Sequence, residues 1–145
     1  MKDENCIFCK IVAREIPTEI IAETEHTVSF VDIMPANFGH SLVIPKEHFA
    51  NIHELPEEIA SVVFKEAKRL ATAVQSAVGA DGINIIMNNG KASGQVIFHA
   101  HVHIIPRLET DGFTWWPPKK YEFPTQMQEL GEKIRKNLSL TKSTP

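Results

Sequence analysis

Residues 96–107 read VIFHAHVHIIPR. In an extended strand successive side chains point to opposite faces. Val96–Ile105 is predicted to be such a strand, with Ile97, His99, His101, His103 and Ile105 on one face. Val96, Phe98, Ala100, Val102 and Ile104 fall on the other, which is wholly apolar and is expected to bury against a helix. The first face would carry three imidazoles about 6.5–7 Å apart in successive pairs. Such a row can hold phosphate oxygens, attack phosphorus and shuttle a proton near neutral pH. A transition-metal patch and three unrelated strand histidines are the alternatives. An expression tag is excluded, because tags are contiguous and terminal.

The partner helix lies upstream. From Pro56 to Val78 the apolar residues Ile59, Val62, Val63, Ala67, Leu70, Ala71, Val74, Ala77 and Val78 recur by threes and fours, with Gly79 just past the end. Glu58, Lys65, Glu66 and Lys68 mark the opposite, solvated side. Before it, CIFCKIVAREI (6–16) predicts a short helix that stops at Pro17, followed by strands at Glu19–Ala22, His26–Asp32 and His40–Pro45. The connection IMPANFG (33–39) is rich in turn residues, and Gly82–Asn88 predicts a further strand. Gly90 and Gly94 make the loop NGKASGQ tight and open to close backbone approach. Gln126–Leu138 is expected to be a closing helix, and the last residues, LTKSTP, to be frayed. The pattern is that of an α+β domain with a mainly antiparallel sheet of about five strands.

With 145 residues, 43% hydrophobic and 23% charged, the chain has the balance of one globular domain and not of a disordered one. Its net charge of −3 leaves no bulk positive field for nucleic acid or an anionic membrane. Residues 1–10 are too polar for a signal peptide, and no run has the ~18 apolar residues of a span. The expected location is the cytoplasm. The two cysteines form one C-x-x-C pair, Cys6 and Cys9. That pair has three readings: zinc ligation, a thioredoxin-like redox couple, or two buried core thiols. The redox reading lacks the preceding strand it needs.

HAHVHII fits every position of the signature His-φ-His-φ-His-φ-φ, where φ is apolar, and the chain therefore resembles the histidine-triad (HIT) nucleotide hydrolases and transferases, Hint-like branch. The similarity takes in CIFCKIVAREIP, FVDIMP, GHSLVIPKEH, NNGKASGQ and the Trp115-Trp116-Pro117-Pro118 region, so the HIT domain is expected over 5–118 and a C-terminal extension over 119–145. The resemblance implies a HIT fold and a two-step reaction at an α-phosphorus. His101 would attack, and water would release a nucleoside monophosphate from the nucleotidyl-histidine. His103 would contact phosphate and leaving group, and His40 would support the nucleophile. Asp32 would hold the ribose hydroxyls, Phe8, Ile11 and Ile33 would wall the base, and Asn88 and Gln95 would serve the phosphates. Val96 stands where the family often has a hydroxyl residue.

The same resemblance, extended to the related galactose-phosphate uridylyltransferases, joins Cys6 and Cys9 to His48 and His99 in a structural zinc site. Metal-free buried cysteines are the rival. His26 and His53 match no motif position. A nucleoside phosphoramidate, purine-based, is the expected substrate and a homodimer the expected assembly. Ile105-Pro106-Arg107 keeps a dinucleoside polyphosphate hydrolase open, and a nucleotide- or partner-binding zinc module without turnover is the non-enzymatic alternative.

Overall fold

The computed structural model describes residues 3–141, which divide into two compact units between Gly112 and Phe113. The first unit holds α1 (Ile7–Val12), β1 (Ile20–Glu23), β2 (Thr27–Val31), β3 (Ser41–Pro45), α2 (Glu57–Val78), β4 (Gly82–Ile86), a single 3-10 turn (Lys91–Ser93) and β5 (Val102–Arg107). The strands form one sheet in the order β1-β2-β3-β5-β4, with every neighbouring pair antiparallel. This is the α+β architecture read from the sequence. No helix among the described residues is long and apolar enough to cross a membrane.

The sheet separates two apolar cores. On one side α2 lays Val63, Ala67, Leu70, Ala71 and Val74 against Val43, Val102 and Ile104. Burying a Val or Leu side chain is worth about 1.5–3 kcal/mol, so this stripe is what fixes α2 to β3 and β5. On the other side α1 sets Phe8, Cys9 and Ile11 against Val28, Phe30, Leu42 and Ile44. Gly79 ends α2 at φ 64, the left-handed conformation the sequence pattern requires there.

Three local expectations are corrected. Glu66, assigned to the solvated side of α2, is buried, with its carboxylate 2.8 Å from Arg69 Nη1. Ala77 and Val78, assigned to the buried stripe, are exposed. The third correction concerns the histidine segment. Its strand begins at Val102, not at Val96, and Val96 and Phe98 are 86% and 41% exposed instead of buried. The reason is pairing. The β4 ladder ends at Ile86↔His103 and the β3 ladder at Val43↔Val102, so residues 96–101 have no strand beside them. Pro45, two residues beyond Val43 in β3, has no N–H to offer. Ala100 N–H bonds the Phe49 carbonyl instead.

In the second unit, Phe113, Trp115 and Trp116 form an aromatic run with ring centroids 5.8 and 5.4 Å apart, and α3 spans Gln126–Thr141. Of the LTKSTP end expected to fray, Leu140 and Thr141 belong to α3, and residues 142–145 lie outside the described residues.

Candidate active site

The histidine segment feeds two clusters. His99 points into the first. Its Nδ1 lies 3.4 Å from Cys6 Sγ and 3.7 Å from Cys9 Sγ, while His48 Nδ1 lies 3.5 Å from Cys9 Sγ. Cys6 caps α1 and Cys9 lies in its first turn, and the loop after β3 supplies His48. The four ligand atoms all fall within 4.8 Å of one another. A tetrahedral zinc with bonds of about 2.3 Å to sulfur and 2.0–2.1 Å to nitrogen sets sulfur and nitrogen roughly 3.5–3.6 Å apart, so the donor set fits that ion. The other ring nitrogen, Nε2, lies 2.9 Å from the Pro45 carbonyl oxygen. It therefore carries the proton and leaves Nδ1 free to ligate, the outer support that metal-binding imidazoles usually have. Burial raises the Cys6 thiol and pushes His99 down to about 4. Without a cation these groups stay neutral, and a dication would supply the charge that two thiolates need.

The second cluster opens on a cavity of about 380 Å³. His101 Nδ1 lies 2.6 Å from the His99 carbonyl oxygen. A carbonyl only accepts, so Nδ1 carries the hydrogen and Nε2 keeps its lone pair. Burial lowers the pKa of His101 below the ordinary histidine value, which holds the ring neutral at pH 7.

The neighbouring ring is wired the opposite way. The Ala36 N–H donates to His40 Nδ1 at 3.1 Å, and that leaves the His40 proton on Nε2. His40 Nε2 then donates to His103 Nδ1 at 2.9 Å, which puts the His103 proton on Nε2. Burial lowers both rings, His103 to about 4. Adjacent imidazoles thus offer one lone pair, on His101, and one N–H, on His103. Their centroids are 4.8 Å apart, closer than the strand repeat predicted, because His101 lies ahead of β5.

A family model described as HIT domain matches residues 13–110. The chain belongs to the HIT domain family. Its relatives include the adenosine 5'-monophosphoramidase of Schizosaccharomyces pombe, 40% identical over 90% of this chain and 96% of the relative. The HIT fold recurs in the crystal structure of SMU.412c from Streptococcus mutans, with a TM-score of 0.89 and 42% identity over 94% of this chain and 87% of that one. A zinc-bound histidine triad family protein from Mycobacterium smegmatis superposes with a TM-score of 0.73 and 34% identity, covering 96% of each chain.

In this HIT domain the structure brings most of the sequence-predicted residues to the cavity. Phe8, Ile11, Ile33, Asp32, Asn88, His101 and His103 line it, with Phe30 and Leu42 from the sheet. Ile33 is 83% exposed, so it forms a free rim rather than a core contact. Asp32 Oδ1 accepts the Met34 N–H at 2.8 Å, and Oδ2 lies 3.6 Å from His40 Nε2. His40 is behind His103 and touches it rather than His101.

Two residues go elsewhere. Gln95 is buried outside the lining. Its Nε2 donates to the Ala50 and Ile97 carbonyls, and its Oε1 accepts the Gly90 N–H, so it clips the glycine loop shut. Arg107, which kept the polyphosphate reading open, forks onto Asp111 at 2.6 and 2.7 Å and does not line the cavity. The sequence reading missed Ile7, Ile16, Pro17 and Thr18 in the lining. It also missed the Ala36 N–H behind His40. A backbone donor leaves no mark on residue identity.

Proposed function

We propose that this protein hydrolyses nucleoside phosphoramidates, purine-based by preference, through a nucleotidyl-histidine intermediate on His101. The observation that carries the reading is the paired wiring of His101 and His103: a neutral ring with a bare Nε2 beside one with Nε2–H. In the first step the His101 Nε2 lone pair forms a bond to the α-phosphorus, and the phosphorus–nitrogen bond to the leaving amine breaks. The leaving nitrogen takes its proton from solvent, and the departing amine accepts a hydrogen bond from His103 Nε2–H. Water then attacks the same phosphorus, the bond to His101 breaks, and the water's proton returns to solvent, balancing the one taken up in the first step. The cycle closes on a nucleoside monophosphate, an amine and an unchanged enzyme.

The cavity supports this assignment. Its walls are mainly apolar around Phe8, Ile11 and Ile33, which suits a stacked base, and Asp32 supplies carboxylate oxygens suited to a vicinal diol. Asn88 lines the same cavity and would serve the phosphates. The amidase name of a relative that is 40% identical supports the same leaving-group class. In this reading residues 5–118 are the catalytic domain and 119–145 an extension, and the free thiols of Cys6 and Cys9 suit a reducing, cytoplasmic setting.

Zinc is assigned to Cys6, Cys9, His48 and His99, and four protein ligands leave it no open position, so its contribution is to folding. A homodimer completes the proposal, supported by β4, which is an end strand of the sheet among the described residues and has Ile85 nearly half exposed.

The test is AMP release from adenosine phosphoramidate by wild type and His101→Ala. Release by wild type that vanishes in the variant is the expected result. Equal release by both would remove His101 from the chemistry. No release by wild type, with nucleotide binding intact, would turn the reading to a binding module.

A further inference from the structure

The loop that carries Asp32, Ala36 and His40 is tied to the far end of β5 by groups outside the cavity. Asn37 Nδ2 donates to the Pro106 carbonyl and to Asp111 Oδ2, both at 2.9 Å. Asp111 is itself held by Arg107, with Nε to Oδ2 at 2.7 Å and Nη2 to Oδ1 at 2.6 Å, and it accepts the Leu108 N–H at 3.1 Å. Arg107 Nη1 reaches across to Asn84 Oδ1 on β4 at 2.8 Å. The loop is closed on itself as well. Asn37 accepts the His40 N–H through its carbonyl, and Asp32 N–H bonds the His40 carbonyl, both at 2.9 Å. Gly39, at φ 98, lies so close that a Cβ there would meet Val78 Cγ1 at 2.8 Å, with Pro106 Cγ at 3.5 Å.

These contacts fix the backbone on both sides of the one N–H that reaches His40. Ala36 is next to Asn37, and its N–H is the donor that holds His40 with its proton on Nε2. The paired wiring of the active site depends on that choice. If Ala36 moves away, His40 can carry its proton on either nitrogen, and His103 loses the donor that keeps its own proton on Nε2. A shift of about 1 Å in such a support costs on the order of a hundredfold in rate.

We propose that Asn37 and Asp111 are positioning residues: together with Arg107 they clasp the Asp32–His40 loop to β5 so that the Ala36 N–H fixes the proton on His40 and, through it, on His103. The proposal rests on the functional reading above for its rate effect, though not for its effect on proton placement. It gives the Ile105-Pro106-Arg107 ending a task that has nothing to do with the leaving group.

The test is 15N-histidine NMR together with steady-state turnover of adenosine phosphoramidate, on the full chain. In wild type, His40 and His103 should both show a proton on Nε2 and His101 a proton on Nδ1. Asn37→Ala should scramble the His40 and His103 signals, leave His101 unchanged, and lower kcat ten- to a hundredfold with KM within about threefold. Asp111→Ala should do the same, and the double variant should be no worse than the poorer single one. Asn84→Ala, which removes only the far arm of Arg107, should keep kcat within about twofold. Unchanged His40 and His103 signals in Asn37→Ala would overturn the proposal, as would an equal kcat loss in Asn84→Ala. The NMR needs no substrate. Correct wild-type signals with no turnover would therefore sink the phosphoramidase reading while the clasp stands.

Discussion

Two clusters hang from one short segment, and only Ala100 lies between His99 of the first and His101 of the second. The first is closed: two thiols and two imidazoles face one another at 3.4–3.7 Å, and His99 is fully buried. The second is open: His101 and His103 line a cavity beside Asp32. Their chemistry follows from which ring nitrogen each backbone carbonyl takes. Pro45 takes Nε2–H of His99 and so aims Nδ1 at the cysteines, whereas the His99 carbonyl takes Nδ1–H of His101 and so bares Nε2. The same side chain turns Nδ1 to the thiols or a bare Nε2 to the cavity by the placing of one acceptor.

The sharpest way to break this comparison is to delete one member of each cluster and ask whether the losses stay separate. His101→Ala should lower AMP release from adenosine phosphoramidate by about a thousandfold or more and leave zinc content and melting temperature unchanged. Loss of zinc in that variant, measured by metal analysis of the purified protein, would show that the clusters are not independent.

Cys9→Ser removes a thiol that touches both His48 and His99. Bound zinc should fall from about one per chain to near zero. Stability should fall by about 4 kcal/mol when free zinc stands a thousandfold above its dissociation constant. The rate at low temperature should change by less than tenfold. Denaturant titration with metal analysis on the same samples checks this, and unchanged zinc content would dismiss the assignment of Cys9.

Phe8 joins the two. Its ring meets His99 at 5.8 Å and His101 at 5.2 Å, edge-on to both, and packs on Phe30 at 5.6 Å. Phe8→Ala should therefore move both readouts at once, costing about 3 kcal/mol of stability and raising KM. A variant that changed KM alone would make Phe8 a base contact with no part in the core.

How much of this was legible in the sequence divides along the same line. The triad alternation, the C-x-x-C pair and the helix stripe are side-chain patterns, and they put the α+β sheet, α2 and most of the cavity residues in place. What escaped was set by backbone partners. Residues 96–101 have strand-like alternation, yet strands exist only where a neighbour offers a ladder, and both neighbouring ladders stop at residues 102–103. The family resemblance implies a phosphate contact at Gln95, whose amide holds the glycine loop and lies outside the cavity lining. Glu66 looked solvated by its charge, yet it lies on the buried side of α2 with Arg69 over it. The roles of His40 and His103 depend on the Ala36 N–H, which any residue at position 36 except proline would supply.

Acid should separate the clusters by the smallest effect. Burial holds His103 at about 4 and lowers His40, both from an ordinary value of 6.5. Between those values the unfolded chain binds protons that the folded chain refuses, so stability rises with pH in that window. It is complete above 6.5 and is lost as the pH falls towards 4. With zinc bound as proposed, the closed cluster would have its own acid limit, because protons compete with the metal for Cys6, Cys9, His48 and His99. Denaturant titrations of wild type and His103→Gln across this window, with zinc content followed in parallel, should show a shallower acid loss in the variant and zinc release at the same pH in both. If His103→Gln keeps the full slope, the acid sensitivity does not come from His103 and belongs to His40, His101 or the closed cluster.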